Sequence, residues 1–481
     1  MFAKDGTMNR LSNDYRKNVE LLDSLLRVKE NFDIIKKPLT MGQDELTFYY
    51  IDGFVKDGVM QKMMIYFLSV GKLGTGADAA ERFLKGHVPY VETEITESVD
   101  VLSSMILSGA VVMLGSSFDA KAIVIDARTY PAREPSEPQN DRVMLGARDG
   151  FVETLIFNTA LIRRRIRDTS LTMTYISIGE RSKTDVVLCY MKGRADKEFV
   201  AYIEKKLRTI RTDALPMGHQ SLSECLIRSR WYNPFPKVRT TERPDAAAAQ
   251  LLEGSVMIIV DNSPEVMILP TSIFDFMQET NDYYFPPLTG TFLRLVRQVI
   301  MWLTLFMTPV WFLLIKNPQL VPDFLAFTIP EAEGRIPILA QLLLTEFVID
   351  GLRMASMNTP DMLSNSLSVV GGLILGDFAI SIGWLIPEVI LYMAFVSIAN
   401  FSQRNYQLGY AFKFLRILLL ILTALFNLWG FFIGVATVLL LLASNKTVNG
   451  KRSYLYPVIP FCWPAFKALF FRVKKRDVSE Q

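Results

Sequence analysis

Ile417 to Ala443 reads ILLLILTALFNLWGFFIGVATVLLLLA, and this stretch decides the fold class. It carries no Asp, Glu, Lys or Arg over about 27 residues, which as a single helix would be ~40 Å long. That is enough to cross a ~30 Å hydrocarbon core with tilt. A second uncharged run, VIMWLTLFMTPVWFLLI, covers Val299 to Ile315. Leu363 to Ile386 is a third candidate, interrupted by Asp377. Ile336 to Ile349 and Glu388 to Ala399 are apolar but shorter, the length usual for re-entrant, interfacial or broken helices. A buried core helix accounts for one such run; three together argue for an integral membrane protein.

All of these runs follow the corner Tyr283-Tyr284-Phe285-Pro286-Pro287. Before it, charges recur every few residues as in an ordinary globular chain. The overall figures, 481 residues and 50% apolar with a mean hydropathy of +0.23, are therefore an average over two unlike halves. Lys+Arg total 52 against 49 Asp+Glu, a formal +3, too weak a bias for a nucleic-acid partner. Cys189, Cys225 and Cys462 lie far apart, and His87 and His219 have no spaced partners. A disulfide framework, a zinc site and His-based catalysis are thereby disfavoured. Gly71-Lys72-Leu73-Gly74-Thr75-Gly76 matches neither phosphate-loop spacing and reads as a loop. No catalytic residue, metal or cofactor is expected; the chain does not read as an enzyme.

The polar half contains an internal echo. FYYIDGFVKDGVMQKMMIYF begins at Phe48, and LCYMKGRADKEFVAYIEKKL begins at Leu188, placing Tyr50 and Gly53 against Tyr190 and Gly193. VDVLSSMILSGAVVML recurs as PDAAAAQLLEGSVMII, placing Asp100 and Gly109 against Asp245 and Gly254. Each half offers strands alternating with helices, an α/β signature. Pro131, Pro135 and Pro138 mark a linker between the halves. The expected architecture is an α/β cytosolic domain of two similar tandem subdomains, residues 1–130 and 131–287. An α-helical transmembrane domain, 288–445, and a basic cytosolic tail, 446–481, follow.

The first 20 residues hold no apolar signal-peptide core, so the polar half is expected to stay in the cytosol. Lys446, Lys451, Arg452, Lys467, Arg472, Lys474, Lys475 and Arg476 favour a cytosolic tail as well, which requires an even number of crossings. Arg404, Lys413 and Arg416 pull weakly the other way.

Ionisable groups at membrane depth are costly and face protein or water. Glu346, Asp350 and Arg353 share one helix face by their spacing, Asp377 sits inside an apolar run, and Glu388 follows Pro387. Glu346, Asp350, Asp377 and Glu388 are candidates for an ion pathway; the alternative is that Asp350 and Arg353 pair while Glu346 lies at the interface. Ser364, Ser368, Gly372 and Gly376 repeat every fourth residue, as do Gly430 and Gly434. Such small-residue faces pack helices within a chain or form a seam between subunits. The basic run Arg163-Arg164-Arg165-Ile166-Arg167 reads as a source of ion pairs within the domain or between subunits, with phosphate or anionic lipid as the alternative.

Asn233-Pro234-Phe235-Pro236-Lys237-Val238-Arg239-Thr240-Thr241-Glu242-Arg243-Pro244-Asp245, then LLEG, VDNSPEVMILP, a DYY corner and IPEAEGRIPILAQLL, resembles the spore germination receptor A-subunit family over essentially the whole chain. Ala127-Arg128-Thr129-Tyr130-Pro131, GARDGFVETLIFNTALIRRRIRD and Ala214-Leu215-Pro216-Met217-Gly218 resemble one branch of it more closely. Arg239, Glu242, Arg243, Pro244 and Asp245 carry the cytosolic family motif. Thr240 stands where an aromatic is common, and Ala214 where glycine is usual. The resemblance implies a protein of the spore inner membrane, assembled as a homo-oligomeric ring that conducts ions. It also implies germination receptor subunits and a small membrane protein as partners, and membrane lipid as surroundings. For the closer branch it implies amplified ion release once germination starts.

Overall fold

The computed structural model describes residues 10–471, apart from 56, 75, 77, 91, 129–145, 228–230, 280, 332–333, 359–370, 373–375, 377, 403–404, 446 and 449–452. The chain forms two compact units, Met1–Arg228 with Val238–Pro270, and Ser229–Lys237 with Thr271–Gln481. The division is not the single break expected near residue 287, because Phe235 is buried in the core of the helical unit. In the same loop the Pro236 carbonyl accepts a hydrogen bond from the Tyr454 hydroxyl, 2.7 Å.

The first unit is a duplication. Its first half runs α1 (Tyr15–Leu26), β1 (Ile34–Met41), β2 (Asp44–Ile51), α2 (Asp57–Val70), α3 (Ala79–His87), β3 (Thr93–Thr96), α4 (Val99–Leu107), β4 (Val111–Gly115), β5 (Ala122–Ile125). The second half repeats that order as α5 (Leu155–Arg165), β6 (Leu171–Ile178), β7 (Thr184–Met191), α6 (Lys197–Thr209), α7 (His219–Leu226), β8 (Arg239–Thr241), α8 (Pro244–Leu252), β9 (Val256–Val260), β10 (Val266–Leu269). The sheets are ordered β1-β2-β4-β5-β3 and β6-β7-β9-β10-β8, one topology used twice. The strand pairs are antiparallel.

Both faces of each sheet are covered, which is why β4 and β9 read as unbroken apolar runs. Val112 and Leu114 pack on one side with Leu22, Leu26, Leu102 and Ile106. Val111 and Met113 pack on the other with Met60, Met63, Phe67 and Phe83. After α4 and α8 the chain turns through Gly109 and Gly254, at φ +102 and +97. A Cβ there would come within 2.6 Å of Phe54 and 2.8 Å of the Arg194 carbonyl, so only glycine fits both turns. A further repeat lies in two buried asparagines. Asn18 bonds the backbone of Ser12 through both amide atoms, 2.8 and 2.7 Å. Asn158 does the same to Val152, 2.8 and 2.6 Å, and each pins the chain entering its helix.

The halves interlock through the loop after α1. Arg163 and Asp33 form a two-pronged ion pair, 2.8 and 3.1 Å, with both side chains out of solvent. Asn31 accepts from the Met173 N–H at 2.9 Å, and Phe32 donates to the Met173 carbonyl at 3.2 Å. The loop thereby covers the edge strand β6, whose free N–H and C=O groups would otherwise invite strand pairing. Arg165 pairs with Asp149 at 2.6 Å, so these two arginines serve as ion-pair partners.

The second unit is helical: α9 (Asn281–Tyr284), α10 (Pro287–Lys316), α11 (Ile338–Asn358), α12 (Ala379–Ser381), α13 (Pro387–Phe401), α14 (Tyr406–Ser444) and α15 (Trp463–Phe470). α10 and α14 have the length and apolar composition to cross a membrane. On α10, Leu288, Phe292, Leu295, Val299 and Trp302 are exposed at spacings of three and four, a continuous apolar stripe. Half of the third candidate run, Leu363 to Ile386, falls outside the described residues.

α14 departs from the expectation of one long crossing helix. Asn427 has φ 53 and ψ −129, which breaks the helix. A Cβ on Gly430 would collide with the Leu422 carbonyl, and one on Gly434 would lie 2.5 Å from Leu419 Cδ2. Residues 15 apart in a straight helix are separated by roughly 22 Å. The chain therefore folds back at Asn427 into an antiparallel hairpin. Its halves, 406–426 and 428–444, are roughly 30 and 25 Å long, each close to the hydrocarbon thickness. Leu408, Phe412, Leu415 and Leu419 meet Val438 and Leu442 in one core.

Candidate ion-pair site in the helical unit

The hairpin bend is held by the end of α10. Asn317 and Asn427 exchange side-chain amide hydrogen bonds, 2.6 and 2.8 Å. The Lys316 ammonium donates to the Ala424 carbonyl at 2.6 Å and the Thr423 carbonyl at 3.4 Å. These carbonyls end the first half-helix and lack intrahelical partners, so a cation there also meets the negative end of the helix dipole.

The first half of α14 carries Lys413 and Arg416 on one face, and α11 carries Glu346 and Asp350 on the facing side. Arg416 is almost wholly buried. It donates from one guanidinium nitrogen to both Glu346 oxygens, 2.6 and 2.7 Å, and from another to the Thr304 carbonyl of α10, 2.7 Å. Lys413 lies 3.6 Å from Glu346 and pairs directly with Asp350. Residue numbers fall along α11 as they rise along α14, so the two helices meet antiparallel at complementary i,i+4 and i,i+3 spacings. Arg353, one turn on, lies over the rings of Tyr406 and Tyr410, 4.8 and 5.2 Å from their centroids.

The sequence therefore places Glu346 and Asp350 on the right face, but their partners are Arg416 and Lys413. Asp350 pairs with Lys413 of the hairpin. Glu346 is buried. A cavity of about 10 Å³, room for one water, lies beside Glu346, Asp350, Arg353 and Arg416, with Ser397 and Asn400 opposite. It is too narrow for a hydrated ion. Glu388 sits apart from this cluster in the first turn of α13, where the positive helix end favours an acid.

Asp377, Ser364 and Ser368 lie outside the described residues. Gly372 and Gly376 are described, and a Cβ on either would meet nothing within 4 Å among the described residues. The close contact near them is made instead by Gly371, whose Cβ would lie 2.7 Å from Leu352 of α11. Gly430 and Gly434 do pack tightly, inside the hairpin.

The family motif in the first unit builds a helix start. Pro244 opens α8 and Asp245 sits in its first turn. The fully buried Arg243 grips Asp245 in a fork, 3.0 and 2.6 Å, and donates to the Ala147 carbonyl at 2.9 Å. The Glu242 carbonyl accepts from Phe151 at 2.8 Å, and Arg239 pairs with Ile268 in the sheet. The matching helix α4 is capped more simply by Ser98. His219 contacts Ser263, 2.6 Å, in a turn, and Cys189 is buried in β7, where burial pushes its thiol pKa well up. Among the described residues no group of three metal-binding side chains occurs.

Sequence reasoning passed over a second buried cluster. Asp282 accepts from Arg297 at 2.9 Å and Arg294 at 3.3 Å, and Glu279 accepts from Arg297 at 2.7 Å, fixing the DYY corner to the start of α10. Its signal was available, since Arg294 and Arg297 are three apart beside an acid-bearing turn.

Residues 22–481 match the family model described as Bacillus/Clostridium GerA spore germination protein. Stage V sporulation protein AF of Bacillus subtilis is 38% identical over 95% of this chain and 92% of its own length. Spore germination protein A1 of the same organism is 27% identical over 84% and 83%. Among solved structures, the N-terminal domain of the A subunit of the Bacillus megaterium spore germinant receptor GerK3 is similar at 25% identity. It covers 55% of this chain and 97% of that domain, with a TM-score of 0.42. Because the family model spans residues 22–481, the chain belongs to the GerA family of spore germination membrane proteins.

Proposed function

We propose that the chain is a subunit of an oligomeric assembly in the spore inner membrane that releases cations during germination. The observation that carries this reading is the buried cluster of Glu346, Asp350, Lys413 and Arg416 on apolar helices. Charged side chains at membrane depth are costly to keep, and they mark ion paths and gates more often than simple anchors. The narrow cavity beside the cluster makes it a closed junction. Conduction then needs either movement of α11 against the hairpin or a path between subunits, for which Gly372 and Gly376, whose Cβ positions meet nothing among the described residues, are the candidates. The duplicated unit and the C-terminal tail are assigned to the cytosol, with receptor subunits, a small membrane protein and lipid as partners. Liposomes containing the purified full chain should leak K⁺ or Na⁺ faster than protein-free liposomes. Glu346→Gln should change that rate while the oligomer persists. Absence of flux under every activating condition tried would sink the channel reading.

The same cluster also favours a second reading, a non-conducting scaffold that clusters germination proteins. The acids Glu346 and Asp350 are both neutralised by bases within the chain, as in a purely structural interlock. The flux measurement separates the two.

A further inference from the structure

Two residues that line the same small cavity each hold a buried polar atom without a hydrogen-bond partner among the described residues. One is Arg416 Nε, the guanidinium nitrogen that bonds neither Glu346 nor Thr304. The other is Asn400 Oδ1 on α13. Gly409 leaves Oδ1 its room, since a Cβ there would lie 2.6 Å away. A buried donor or acceptor left unpaired is strongly unfavourable, and for an ionised guanidinium more so. The space between α11, α13 and the hairpin has the volume of one water and a polar lining that includes Glu346, Asp350 and Ser397. Apolar cavities of this size stay dry, whereas polar ones with several partners hold ordered water.

We infer that this cavity binds one ordered water, which accepts from Arg416 Nε–H and donates to the acceptors of the lining, Asn400 Oδ1 among them. α13 is then joined to the ionic junction through that water rather than by a direct ion pair. The site is a hydrated point of the helical unit, next to Glu346 and Asp350, and it stands whether or not the assembly conducts.

Radiolytic footprinting of the full chain in nanodiscs tests it. Hydroxyl radicals formed from a bound water oxidise the side chain beside it even when bulk solvent cannot reach. Met393 lines the cavity and is 2% exposed, and Met301, 1% exposed among Phe235, Leu305 and Phe412, is the internal control. Met393 should oxidise faster than Met301. Asn400→Leu, which fills the space and removes the acceptor, should lower Met393 to the level of Met301. Equal rates for the two methionines in the unsubstituted chain would overturn the inference, as would a Met393 rate that Asn400→Leu leaves unchanged in folded protein. If Asn400→Leu does not fold, the comparison within the unsubstituted chain decides alone.

Discussion

The ion pair between Arg163 and Asp33 is the strut that makes one unit of two duplicated halves, and removing one partner should be costly. Both side chains are out of solvent, 0% and 2% exposed, and the pair is two-pronged. Asp33→Asn leaves a guanidinium buried against a neutral amide, and Arg163→Met leaves a buried carboxylate with no counter-charge. Breaking such a pair from one side costs about 3–5 kcal/mol. For a unit of this size that lowers the unfolding midpoint by roughly 6–20 °C. The double substitution Asp33→Leu with Arg163→Met removes both charges and should recover most of the loss, because a well-packed apolar pair matches a buried ion pair to within a few kcal/mol. The assay is thermal unfolding of the full chain in detergent, followed by limited proteolysis within residues 10–269. Single substitutions that move the midpoint by only a degree or two would refute the reasoning. So would a double variant as unstable as the sum of the singles.

Other expectations follow from the same geometry. Burial is the main cause raising the Asp52 pKa, with repulsion from Asp57 and Asp33 adding to it. An acid raised in the fold loses stability as it ionises, so Asp52→Asn should stabilise the unit at neutral pH and lose that advantage as pH falls through the carboxylate range. Asp126 is lowered by its hydrogen bond from Arg128. Its contribution is present above the ordinary carboxylate pKa and lost below it, so Asp126→Asn should flatten the acid side of a stability-against-pH curve. In maleimide labelling of folded protein, the exposed Cys225 should react while the buried Cys189 stays unmodified until denaturant is added. Gly430→Ala should destabilise the helical unit by about 1–3 kcal/mol through the collision with Leu422. Gly372→Ala meets nothing among the described residues and should cost little, which midpoints measured side by side would show.

The duplication was legible because its signals are local and recur at similar distances: Gly109 and Gly254 close equivalent helices 145 residues apart, and Tyr50 and Tyr190 sit on equivalent strands 140 apart. The paired clamps of Asn18 and Asn158 repeat at the same distance but look like ordinary polar helix residues until their backbone partners are seen. The helical unit was legible as apolar, yet not in its path. Asn427, a polar residue at the middle of the longest apolar run, is the mark of the hairpin, but composition alone does not separate a bend from a tolerated side chain. Glu346 and Asp350 stood out for their depth. Their partners did not, because Lys413 and Arg416 lie more than sixty positions away and, in sequence, read as charges flanking a crossing. Long-range pairing is fixed by packing, and only the complementary i,i+4 and i,i+3 spacings hint at it.

The most direct test is the current carried across a planar bilayer by the reconstituted full chain. A cation-selective current, with reversal potential shifted by Glu346→Gln, is the predicted result. A silent bilayer for both forms, or a current whose selectivity ignores Glu346→Gln, would contradict an ion path controlled at this junction.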